Sequence, residues 1–73
     1  MIAYKNLNGD SGVAAYKTGP DFIDVQFHNT IKIYQYSYAS AGSQNVEHMK
    51  KLASEGCGLN SFIMKNARTL YVR

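Results

Sequence analysis

The chain has 73 residues, 45% of them hydrophobic and 18% charged, with a formal net charge of +3. This composition is that of a folded globular domain rather than a disordered chain, and the length allows a single domain over residues 1–73 with one thin core. No apolar run approaches the ~20 residues that span a bilayer, and MIAYKNLNGD at the N-terminus lacks the basic-then-apolar order of a signal peptide, so a cytoplasmic location without membrane contact is expected.

Residues 12–17, 21–28 and 31–38 read as three short strands. Gly19, Pro20 and Asp21 break the first pair, and His28, Asn29 and Thr30 the second, where Asn29 can enter a left-handed conformation although no glycine is present. Connections this short predict an antiparallel meander with the second strand in the centre. That strand alternates Ile23, Val25 and Phe27 with Asp24, Gln26 and His28, so one face is apolar and the other wet. A tight loop at Asn29 and Thr30 pairs Val25 with Tyr34 and Ile23 with Tyr36, which turns both tyrosines to the apolar face and leaves Ile31 and Ile33 on the wet one. A slip of one residue would reverse this assignment. Asn-led two-residue loops suit hairpin twist and favour the first register.

A helix follows over residues 44–55, with Val46, Met49 and either Leu52 or Ala53 forming its buried stripe, Ser43 as N-cap and Gly56 as the left-handed C-terminal residue. Residues 59–69 read as a second helix with Leu59, Phe62, Ile63 and Ala67 on one face, or as a loop with one helical turn that leads into an extended end. The fold class is therefore α+β: a three-stranded antiparallel β-meander followed by one or two α-helices packed on one sheet face.

The succession of VQF, YQY and a helix that leads into LASEGCGLNSFI resembles the KTSC domain, which occurs at the C-terminus of some lysyl-tRNA synthetases and as a small stand-alone bacterial protein. The likeness covers residues 11–66, and its marks are Tyr34 and Tyr36 together with Gly56, Gly58, Leu59, Asn60 and Ile63. It implies RNA binding. The second hairpin departs from the commoner form in having no glycine, SYASAGS lengthens the passage from sheet to helix, and no synthetase domain is present, so a role on lysine tRNA does not carry across.

Charge is unevenly placed. Residues 1–36 balance Lys5, Lys17 and Lys32 against Asp10, Asp21 and Asp24, whereas Lys50, Lys51, Lys65, Arg68 and Arg73 outnumber Glu47 and Glu55 in the C-terminal half. Lys50, Lys51, Lys65 and Arg68 are candidate phosphate contacts, with a solvated helix surface as the ordinary alternative. Tyr38, near the strand end, is the tyrosine freest to stack on a base, while Tyr34 and Tyr36 belong to the core and its rim. GCGLN, residues 56–60, reads as a turn between helices with Asn60 as N-cap, in preference to a phosphate-binding loop. Gly56, Gly58, Leu59 and Asn60 are accordingly structural.

His28, His48 and Cys57 have neither metal-ligand spacing nor a base and nucleophile in sequence proximity, so no metal, no cofactor and no catalysis are expected. A lone cysteine also fits a reducing compartment. Two functions emerge: a non-enzymatic domain that contacts RNA through its basic helix residues, or a protein-interaction module, self-association included, that uses Ile31, Ile33 and the edge of the third strand.

Overall fold

The computed structural model describes residues 1–7 and 12–72; Asp10, Ser11 and Arg73 lie outside them. Four antiparallel strands form one sheet in the order β1 (Ile2–Ala3), β2 (Val13–Thr18), β3 (Phe22–Phe27) and β4 (Ile33–Ser37). The meander is as expected, with β3 between β2 and β4, but the sheet has four strands rather than three. β1 is too short to carry an alternating pattern. It is anchored instead through the adjoining Tyr4, which is buried: its N–H donates to the Ala14 carbonyl at 3.0 Å, and its hydroxyl oxygen accepts from the Leu59 N–H at 3.3 Å.

A β-bulge at Ala14 separates the Val13–Phe27 and Ala15–Gln26 pairs. The extra residue changes the alternation, so Val13 and Tyr16, three apart, both face the interior. β4 pairs with β3 as Ile23–Tyr36, Val25–Tyr34 and Gln26–Ile33. This is the unslipped register. Tyr36 is 1% exposed, whereas Ile31 and Ile33 stand 92% and 50% exposed.

The connection itself is wider than the two-residue loop that suggests this register. The ladder ends at Gln26–Ile33, and Thr30 organises the bend: its N–H donates to the Phe27 carbonyl at 3.4 Å, and its hydroxyl accepts from the Lys32 N–H at 3.0 Å. Asn29 does not take a positive φ. With no glycine to supply the left-handed positions of a two-residue turn, the hairpin opens into a longer one.

β4 also stops earlier than expected. Ser37 and Ser40 cap each other reciprocally, each hydroxyl accepting from the other's N–H at 3.1 and 3.0 Å, and this begins α1 (Tyr38–Ala41). Tyr38 is therefore helical, not the last residue of a strand. Gly42, at φ 92°, separates α1 from α2 (Ser43–Glu55), so Ser43 is the first helical residue rather than its cap. Val46, Met49 and Ala53 are buried and Leu52 is half-buried, which settles the stripe.

Gly56 ends α2 at φ 82° and donates to the Leu52 and Ala53 carbonyls. Gly58, also left-handed, precedes α3 (Leu59–Phe62), which continues as a π-helical stretch, Ile63–Ala67. Asn60 lies inside α3 and is not its cap. Leu59, Ile63 and Ala67 are buried as their spacing predicts. The helix does not reach residue 69, because Leu70 donates back to the Ala67 carbonyl and the chain turns toward β4, where the Val72 N–H donates to the Gln35 carbonyl at 2.6 Å. This contact covers part of the strand edge that the sequence leaves bare. The core lies between one sheet face, represented by Val13, Ile23, Val25 and Tyr36, and the helices, represented by Val46, Met49, Leu59 and Ile63.

Gly56 is required both by its backbone and by its neighbours, since a Cβ there would stand 2.6 Å from Lys5 Cβ and 3.3 Å from Leu7 Cγ. Gly56→Ala should lower stability by about 2 to 4 kcal/mol, combining left-handed strain with overpacking, as read from urea denaturation. A loss below about 0.5 kcal/mol would mean that the N-terminal segment does not pack there.

Candidate functional site

Tyr34 and Tyr36 share the apolar sheet face but have different surroundings. Tyr36 lies beneath the helices, while Tyr34, nearer the hairpin, is half-buried and meets Phe27 edge-on at 5.6 Å between ring centroids. Tyr71, brought across β4 by the Val72 contact, stands edge-on to both Tyr34 at 4.8 Å and Tyr36 at 6.3 Å. Such T-shaped pairs contribute roughly 0.5–1.5 kcal/mol each beyond their buried area. Lys32 reaches over the cluster, its ammonium 5.0 Å from the Tyr34 centroid and 5.5 Å from that of Tyr71. The cation thus sits at the negative faces of two rings.

These rings form one side of a groove of about 630 Å³. The hairpin bend contributes His28, Asn29 and Thr30, and the opposite side is made by Asn60, Met64, Arg68 and Thr69. Gly12 completes it, held beside the bend by the His28 N–H, which donates to the Gly12 carbonyl at 2.7 Å. The Asn60 amide and the Arg68 guanidinium are not tied up in hydrogen bonds or ion pairs with other described residues. Aromatic surface, the Arg68 cation and unengaged polar groups therefore converge in one concavity of the size usual for small-molecule sites, with Lys32 standing over two of its rings.

Of the predicted contacts, Arg68 reaches this groove together with Tyr34, Tyr36 and Asn60. Lys51 and Lys65 are exposed on their helices, outside its lining. Lys50 and Tyr38 form a different cluster. The Lys50 ammonium donates to the Gly19 carbonyl at 2.7 Å, to the Pro20 carbonyl at 3.3 Å and to Glu47 at 3.0 Å, and Tyr38 donates to the same carboxylate. With its side chain 18% exposed, Lys50 pins the β2–β3 turn to α2 rather than presenting a charge to solvent. The hydrogen bond to Glu47 raises the Tyr38 pKa, and the bonds from Tyr38 and Lys50 lower that of Glu47.

Phe27 and Tyr71 line the groove, and Lys32 stands over two of its rings, without having stood out in the sequence as site residues. Lys32 belongs there to a charge-balanced half, and Tyr71 to a terminal extension. The available signal is the diagonal placement of Phe27 and Tyr34 on one sheet face. Gly56 and Gly58 serve the turn, and Leu59 the core, as expected.

Among the described residues no three His, Cys, Asp or Glu side chains group as a metal site would require, and no helix is long and apolar enough to cross a membrane. Compared with family models, with curated proteins and with solved structures, the chain matches none.

Burial, followed by the neighbouring Tyr34 and Tyr71 phenols, pushes the Tyr36 pKa from 10.0 up to about 12. The unfolded chain releases this proton first, so the stability contributed by protonated Tyr36 is fully present below pH 10, falls as pH rises and is lost through about 12. Urea midpoints measured from pH 8 upward should show this decline. Tyr36→Phe should flatten most of it, and an unchanged slope would mean that Tyr36 ionises freely in the folded protein.

Proposed function

We propose that this domain is a non-enzymatic binder of single-stranded RNA that works through the aromatic and cationic groove. The observation that carries the reading is the placement of Lys32 over Tyr34 and Tyr71, with Arg68 lining the same concavity. Single-stranded nucleic acids are held by cations along the backbone and aromatic surface against the bases. The resemblance to KTSC domains at Tyr34, Tyr36 and residues 56–60 supports the same reading.

The basic helix residues retain a secondary role. Lys51 and Lys65 can extend a phosphate track away from the groove, whereas Lys50 is committed to the β2–β3 turn. Steric access also favours single strands, because stacked and paired bases present no free faces to the rings.

A second reading, contact with a protein or with another copy of the chain, is favoured by Ile31 and Ile33, both exposed at one end of the sheet. The Val72–Gln35 bond works against simple strand addition at β4, so such a contact would use side chains. Sedimentation distinguishes it: concentration-dependent association that Ile33→Lys abolishes, at unchanged stability, favours this reading, and a monomer at all concentrations removes self-association.

Fluorescence anisotropy with a labelled decanucleotide RNA tests the first reading. Affinity should be measurable at about 50 mM salt and fall steeply as salt rises, with a logarithmic slope of about −0.7 per phosphate engaged. Arg68→Gln and Lys32→Gln should each weaken binding and reduce that slope by about 0.7. Absence of binding at low salt, or full affinity in both variants, would reject the groove as the RNA site.

A further inference from the structure

Gly12 poses a question that the fold does not answer. A Cβ placed on it would find 3.6 Å to Asn60 Oδ1 and 3.9 Å to the Phe27 ring, ordinary contact distances. Packing against the described residues would therefore admit a side chain. What a side chain would do is project between Asn60 and Phe27, two walls of the groove. Asn60 is equally unexplained by structure. It is half-buried within α3 rather than capping it, and its side-chain amide has no hydrogen-bonding partner among the described residues. Its amide lines the groove with no internal hydrogen bond to break before it engages a ligand.

We infer that Gly12, Phe27 and Asn60 form a subsite for one unstacked nucleobase of an RNA strand, its hydrogen-bonding edge read by the Asn60 amide and its phosphate held near Arg68. This deepens the RNA-binding reading and rests on it. A carboxamide presents a donor and an acceptor side by side, the arrangement that matches the adjacent donor and acceptor on a base edge. The Phe27 ring supplies the apolar wall, and the missing Gly12 side chain supplies the space. A paired base has this edge already occupied, so the subsite discriminates single strands from duplexes through chemistry as well as shape.

The test combines substitutions at two positions with one spectroscopic readout. Gly12→Val fills the gap, Gly12→Ala fills it partly with minimal perturbation, and Asn60→Ala removes the amide. Thermal midpoints confirm that each folds. The decanucleotide should bind Gly12→Val and Asn60→Ala at least about tenfold more weakly than the parent, with Gly12→Ala intermediate. In the unaltered protein, titration with the four ribonucleoside 5′-monophosphates should shift the Asn60 side-chain amide resonances, and inorganic phosphate alone should not.

RNA binding that persists at full strength in Gly12→Ala and Asn60→Ala, with the Asn60 amide unmoved by every monophosphate, overturns the subsite and leaves the broader RNA reading in place. If the parent binds no RNA at low salt, both fall together. Equal affinity for duplex and single strand also overturns it.

Discussion

The pairing of Val25 with Tyr34 and Ile23 with Tyr36 is the constraint on which the rest of the molecule depends. Because strand side chains alternate, this choice assigns every residue of β4 to a face. It places Tyr36 in the core and Tyr34 at its margin, and sends Ile31 and Ile33 outward. A core this small has few large side chains, so a fully buried tyrosine matters to it. Tyr34, displaced from the centre by two residues, is left free to meet Phe27 on one side and Tyr71 on the other. The same register that closes the interior therefore creates the aromatic margin from which the groove is built.

Two further devices complete that margin. The bulge at Ala14 redirects β2 so that Val13 fills the interior beside it, and Gly12, next in the chain, is held against the hairpin bend. At the opposite end the C-terminal segment crosses β4 and brings Tyr71 to the cluster. Together they convert an open sheet corner into a concavity, with Lys32 above and Arg68 at the side.

The alternation of Ile23, Val25 and Phe27 makes the two faces of β3 legible in the sequence, but the register against β4 follows there from a two-residue Asn-led loop, and the structure keeps the register while opening the loop. The stripe of α2 and the left-handed Gly56 are legible for similar reasons, each arising from a local period or a local steric rule. β1 is not, since two residues carry no period and their pairing depends on Tyr4 reaching α3. The end of β4 is hidden because the Ser37–Ser40 cap overrides strand propensity at Tyr38.

The site obeys the same division. Arg68 can be singled out by charge, but Lys50 cannot be recognised as a structural residue, because its acceptors lie in a turn about thirty positions away. Lys32 and Tyr71 gain their roles only where the hairpin and the C-terminal segment meet. Local chemistry identifies candidate groups, and tertiary packing decides which of them converge. The most direct measurement of that convergence is a ¹⁵N chemical-shift titration with a short single-stranded RNA at low salt. The account predicts shifts at Gly12, Thr30, Asn60, Arg68 and Tyr71; shifts confined to Gln26, Gln35 and Lys51, or none at all, would contradict it.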